Sequence, residues 1–181
     1  MDADLSHERG ITDDLGLRGS NQSGMRDHNE RLVLSMVRQQ GGLSKSDIAR
    51  ITGLSAQTVS VIMRGLERDG LLERGAPIRG RVGQPSVPMY LAADGAYFFG
   101  LKIGRRSVDL TLVDFAGQVR ASLRQLYRYP TPDGVVAFVR SAMPQMAQSL
   151  PAGLRARISG LGIAMPFQLW SWVQFIGAPQ S

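Results

Sequence analysis

Two hydrophobic periods divide this chain. Between residues 28 and 70 apolar side chains recur every three or four positions; from residue 97 onward they mostly alternate or run together. Leu32, Val33, Met36 and Val37 predict a first helix, capped by Asp27 or Asn29 and ended by Gly41-Gly42. A second helix is predicted over Lys45 to Thr52, with Ser44 as its cap and Asp47 completing a box-like cap three residues on. Ile48, Ala49 and Ile51 give it an apolar face, and the small Ala49 lets another helix cross closely. Gly53 falls where the chain must turn sharply at positive φ, which suits a residue without Cβ. Leu54 plugs that corner, and Ser55 caps a third helix from Ala56 to Asp69. Val59, Ile62, Met63 and Leu66 repeat at i, i+3, i+4, i+7 and bury one of its faces.

Asp69-Gly70 stops the third helix, and Leu71 to Arg74 and Val87 to Leu91 read as two short strands. Three helices followed by such a pair make a winged helix. Ala92 to Gly95 reads as a junction. Beyond it Tyr97 to Ile103, Ser107 to Asp114 and Val119 to Tyr127 predict an antiparallel meander, with Val108, Leu110 and Leu112 opposed to Asp109, Thr111 and Val113. Pro130-Thr131-Pro132-Asp133 stops the meander and starts a helix. Val135, Val136, Phe138, Val139, Met143 and Met146 carry that helix to about Ser149, with a kink expected at Pro144. Ile158 to Met165 is a further strand ended by Pro166, and a short apolar stretch, Phe167 to Val173, follows. Met1 to Arg26 is polar and without period, and reads as a disordered tail. The expected fold class is therefore α+β: a tail over 1–27, a winged helix over 28–91 and a second unit over 95–181.

Charge sharpens this division. The chain has 181 residues, a formal net charge of +6 and 43% hydrophobic residues; its pI is about 10.5. Residues 1–30 hold three Arg against seven Asp or Glu, while residues 31–91 hold nine Lys or Arg against four. The winged-helix region is basic in its own right, which favours a polyanionic partner. There is no cysteine, so disulfides and thiolate metal sites are excluded. His7 and His28 fall in the tail and before the first helix, positions that suit the surface better than a metal. No basic-then-apolar leader and no run of about 18 apolar residues is present, so a soluble cytoplasmic protein without membrane contact is expected.

The chemistry that stands out is the polar face of the third helix. Gln57, Thr58, Ser60 and Arg64 lie opposite its apolar stripe. Short hydrogen-bonding groups and a cation on one helix face suit base edges and phosphates in a major groove. Ser44, Lys45 and Ser55 at the helix starts, and Arg79, Arg81 and Gln84 in the glycine-rich wing loop, complete the candidate DNA contacts. Arginines on a narrow loop suit the minor groove, where backbone approach is close and the potential is negative.

Together the two halves resemble the ROK family of repressors, open reading frames and kinases. Asn29-Glu30-Arg31-Leu32-Val33-Leu34, the helix-turn-helix and Gly80-Arg81-Val82-Gly83-Gln84-Pro85 carry the first half of that resemblance. Gly100-Leu101-Lys102-Ile103-Gly104-Arg105-Arg106, Leu112 to Val119, and Gly160-Leu161-Gly162-Ile163-Ala164-Met165-Pro166 carry the second. The resemblance implies a partial actin-like, ribonuclease H-like lobe behind the winged helix. It implies a transcriptional regulator, most simply a repressor of carbohydrate genes, that grips a double-stranded DNA operator. A full-length form would answer to a sugar or sugar phosphate and form a homo-oligomer. The alternative is a sugar kinase of the family with an N-terminal extension. Against the kinase, Lys102 stands where kinases have Asp, Arg105-Arg106 replace Gly-Thr, and Phe167 replaces the Gly of a later turn. A phosphate loop needs small residues so that backbone N–H groups can approach the anion. The family's catalytic Asp, its sugar-contacting Glu and His, and its Cys/His zinc motif would all fall beyond Ser181. The chain therefore reads as a truncated regulator with no catalytic residue, no cofactor and no metal.

Overall fold

The computed structural model describes residues 20–78 and 86–166, with side chains from Gly24 onward. Helix α1 spans Ser20–Gln40, α2 Lys45–Thr52 and α3 Ala56–Arg68. Strands β1 (Leu72–Arg74) and β2 (Met89–Leu91) pair antiparallel. Leu43 joins them as a third, minimal strand, exchanging two backbone hydrogen bonds with Met89 at 3.1 and 2.9 Å. The expected start of the first helix is corrected: α1 begins at Ser20, a full two turns before Asp27 and Asn29. No proline interrupts residues 20–29, and Arg26 and Glu30 form an i,i+4 ion pair of 2.9 Å on its surface.

The caps of α2 and α3 fall where their side chains dictate. The Ser44 hydroxyl accepts from the Asp47 backbone N–H at 3.2 Å, and the Ser44 N–H reaches the Asp47 carboxylate at 3.4 Å. Gly53 ends α2 in the left-handed region at φ 71°, its N–H bonded to the Ala49 carbonyl. Ser55 then accepts from the Thr58 N–H at 3.1 Å and opens α3. Val33 and Val37 of α1, Ile48 of α2, and Val59, Ile62, Met63 and Leu66 of α3 are buried together with Leu43, Leu72 and Met89. Each such side chain contributes about 1.5–3 kcal/mol on burial.

A mixed sheet follows: β3 (Tyr97–Ile103), β4 (Ser107–Asp114), β5 (Val119–Leu126) and β6 (Ile158–Ala164), in the spatial order β5-β4-β3-β6. The first three form the expected meander. β6 lies parallel to β3 after the crossover helix α4 (Pro132–Gln148) and a 3-10 turn at Ala152–Arg157. Thr131 caps α4 by accepting from the Gly134 N–H at 3.2 Å, and Pro132 takes the first turn, where its missing N–H costs nothing. The helix runs on through Pro144 to Gln148. It lays Val135, Ala142 and Met146 on Tyr97, Phe99, Leu101, Val108, Leu110 and Leu112, whereas Val136 of the same apolar run points outward. At the β4–β5 hairpin the buried Asp114 carboxylate accepts from the Gln118 N–H at 2.9 Å and pairs with Arg120 at 2.9 Å.

The two units meet at the 3-10 turn Ala93–Gly95. Ala92 donates to the Leu71 carbonyl at 3.0 Å, and Phe115 donates to Ala93 at 3.1 Å. Gly95 is buried so tightly that a Cβ there would sit 2.9 Å from the Gly70 carbonyl oxygen and 3.2 Å from the Leu71 Cα. Arg157, just before β6, donates to the carbonyls of Asp94 and Gly95 at 3.3 and 3.2 Å.

Candidate nucleic-acid interface

Burial on α3 fixes which way each side chain faces. Val59, Ile62, Met63 and Leu66 occupy the inner face. Gln57, Val61, Arg64 and Arg68 are exposed and follow one another at helical spacing along the outer face. Thr58 and Ser60 lie at the margins of that stripe, half-buried. Thr58 is also engaged locally, its hydroxyl 2.8 Å from that of Ser55. Arg64 folds back so that its Nε donates to the Ser60 carbonyl at 3.1 Å, which holds the guanidinium close to the helix surface. The first turn of α3 carries no acidic residue, so its free N–H groups and partial positive charge are open to an anion.

The remaining sequence candidates separate. Ser44 is buried, and its hydroxyl is spent on the capping box, 2.6 Å from the Asp47 carboxylate and 2.9 Å from the Ser46 hydroxyl. Those hydrogen bonds from Ser44, with help from Arg50, hold the Asp47 carboxyl below its usual range. Lys45 and Ser55 are exposed at the starts of α2 and α3. Arg74 of β1 grips Glu67 of α3 through two hydrogen bonds, at 2.6 and 3.0 Å, and ties the wing to the outer helix. That grip draws the Glu67 carboxyl below its usual range, with a smaller contribution from Lys45. The wing strands continue as far as Ile78 and Ser86, which exchange hydrogen bonds of 2.7 and 3.0 Å. Arg79, Arg81 and Gln84 lie outside the described residues.

Sequence reasoning passed over two members of the outer stripe. The outer face was read from hydrogen-bonding and charged side chains, so the apolar Val61 went unassigned; its offset of two from both Val59 and Met63 was the available signal. Arg68 was lost because it lies three turns along the helix from Gln57, near its end.

At the turn between β3 and β4, the Gly104 N–H donates to the Ser107 carbonyl at 2.8 Å, and the Tyr127 hydroxyl donates to the carbonyls of Gly104 and Ser107 at 2.7 and 2.8 Å. Arg106 donates to the Arg128 carbonyl at 2.6 Å. Lys102 is exposed beside this turn. Among the described residues no helix is long and apolar enough to cross a membrane.

Residues 23–81 match the family model described as MarR family, a stretch that runs from within α1 through α2, α3 and β1 and stops short of β2. Over 138 residues the chain is 22% identical to the "Uncharacterized protein y4fQ" of Sinorhizobium fredii, an alignment spanning 76% of this chain and 35% of that protein. The fold is that of a solved ROK family transcriptional regulator, a homolog of the E. coli MLC protein. The TM-score is 0.55 with 20% identity, over 78% of this chain and 35% of that one. The chain thus spans about a third of the length of the relatives it matches.

Proposed function

We propose that this chain is a DNA-binding transcriptional regulator in which α3 enters a major groove and the wing loop lies along the neighbouring minor groove. The observation that carries this reading is the outer face of α3: exposed Gln57, Arg64 and Arg68 on a helix whose opposite face is locked into a closed core. Its match to the MarR family model and its likeness to a ROK regulator support the same conclusion. Gln57 reads a base edge, Arg64 grips phosphate, and Lys45 and Ser55 position the helix starts on the backbone. Arg79, Arg81 and Gln84 serve the wing. The sheet unit is the beginning of an effector lobe that, in a longer protein, takes a sugar or sugar phosphate and couples it to operator affinity, with repression as the output and two copies of the chain meeting the two half-sites.

A sugar kinase is the second reading, and the β3–β4 turn argues against it. Its Gly104 N–H is spent on Ser107 rather than free for phosphate, and Arg105-Arg106 crowd the position where a phosphate loop needs small residues. The chain is expected to hydrolyse no ATP in response to sugars; a sugar-dependent ATPase lost on substitution inside this chain would overturn that.

The decisive experiment is a binding titration on duplexes enriched from a randomised library. Gln57→Ala is expected to relax selectivity at one or two base pairs at a cost of about 1–3 kcal/mol. Arg64→Ala is expected to weaken all duplexes alike and lower the salt slope by about one unit. Failure of the library to enrich any duplex, with binding indifferent to salt, would overturn the reading.

A further inference from the structure

The centre of the outer face of α3 is apolar. Val61 is 52% exposed, between Gln57 one turn before it and Arg64 one turn after it. A β-branched aliphatic side chain is held to one χ1 rotamer in a helix, so Val61 presents a fixed apolar surface among hydrogen-bonding neighbours, suited to an apolar group on whatever meets this face. The adjoining groove adds two further apolar side chains, Met25 of α1 and Ile62, of which Ile62 is spent on the core and Met25 is itself exposed. In a major groove the one apolar feature on a base edge is the 5-methyl group of thymine.

From this juxtaposition we propose that Val61 is a specificity-determining residue that selects thymine through its methyl group, at a base pair next to the one that Gln57 contacts. This rests on the DNA-binding reading above. The geometry suits it: side chains four residues apart lie about 5–6 Å apart on a helix surface, and successive bases along a strand rise about 3.4 Å. Gln57 pairs naturally with adenine through its amide, so the two side chains together favour an A·T-containing step. Val61 carries no charge and leaves the phosphate contacts to Arg64, so the contact is independent of salt.

The test begins with a duplex enriched by the wild-type chain from a randomised library. Each thymine is then replaced singly by deoxyuridine, which removes the methyl group and leaves base pairing intact. The wild-type chain is expected to lose about fourfold in affinity at one position, the worth of one buried methyl-sized group. Val61→Ala is expected to bind the original duplex about fourfold more weakly, to show no further loss at that position, and to keep the wild-type salt slope. Val61→Thr, which retains one methyl, is expected to keep part of the discrimination. At an exposed site both variants are expected to fold as the wild type does, and a melting temperature within about a degree or two of wild type checks it. A flat deoxyuridine scan, or a Val61→Ala variant with the full deoxyuridine penalty, overturns the proposal while leaving DNA binding intact. A large stability loss in Val61→Ala without any change in thymine preference assigns Val61 to packing against α1 and overturns it too. No enriched duplex at all overturns the DNA-binding reading itself, an outcome distinct from the other two.

Discussion

The winged helix and the sheet unit treat their apolar surfaces in opposite ways. In the winged helix the inner faces of α1, α2 and α3 close on one another and on β2, and the exposed outer face of α3 is mainly polar and cationic. In the sheet unit α4 covers the middle of one face, but edge strand β6 leaves Leu161, Ile163 and, just after it, Met165 at 37%, 61% and 56% exposure. Exposure therefore carries different information in the two halves. In a closed domain an outward side chain faces a partner or water, so Gln57, Val61 and Arg64 can be read as a surface. At the edge of the described sheet an outward side chain is one left uncovered by the described residues, and backbone N–H and C=O groups along such an edge are those that can pair with another strand.

The largest effect that can separate the halves comes from their cores. Leu66→Ala and Leu110→Ala each remove a fully buried leucine and are expected to cost about 2–5 kcal/mol. Leu66→Ala is expected to abolish DNA binding along with the winged-helix fold, whereas Leu110→Ala is expected to spare it. Chemical denaturation paired with binding titrations measures both. Equal loss of binding in the two variants would show that the halves fold as one cooperative body.

A smaller effect belongs to the cap. Ser44→Ala removes the hydroxyl that receives the Asp47 N–H and is expected to cost about 0.5–2 kcal/mol of winged-helix stability. The sheet unit is expected to be unaffected, a contrast visible in segment-resolved hydrogen exchange.

What could be read from the sequence followed how local the cause was. The starts of α2 and α3 were legible because Ser44, Asp47 and Ser55 make their capping bonds within three residues. The alternation of β4 was legible because both its faces are sorted by a single strand's pleat. The start of α1 was not, since nothing between Ser20 and Asn29 forbids helix and the expected caps were never used as caps. The placement of β6 beside β3, parallel and across the crossover helix, depends on packing between residues some sixty apart and leaves no mark on either strand alone. On the outer face of α3, the exposure of Gln57 and Arg64 was legible by polarity, and that of Val61 was hidden by it. Arg79, Arg81 and Gln84 rest on the sequence alone.

On the open edge the expected stability change is slight. Ile163→Lys replaces an exposed side chain, so folding stability should stay within about 0.5 kcal/mol of wild type. Self-association, if the β6 edge drives it, should fall, because a lysine on an edge strand opposes pairing. Sedimentation of the two proteins side by side decides this; an unchanged distribution would move the adhesive surface elsewhere.

The smallest effect concerns acid. Asp47 is held below its ordinary range by Ser44, and Asp109 by its hydrogen bond from Arg124, with Ser107 contributing. A carboxyl with a lowered folded pKa contributes stability above its unfolded value and loses it as pH falls through the folded one. Both halves are therefore expected to weaken below about pH 4. Asp47→Asn should flatten that dependence in the winged helix alone, and Asp109→Asn in the sheet alone, as followed by melting temperatures between pH 7 and pH 3.

The joint at Gly95 has a mechanical consequence. The sheet is seated directly on the Gly70-Leu71 segment that follows α3, with too little room for even one added carbon, and Arg157, at the end of the 3-10 turn before β6, bolts β6 to the same seat. A rotation of the sheet about this seat acts on α3 as on a lever held at its C-terminal end. The far end of that lever, at Gln57, lies about 20 Å away along a 13-residue helix. A tilt of about ten degrees at the seat sweeps Gln57 through about 3 Å, close to the rise of one base pair.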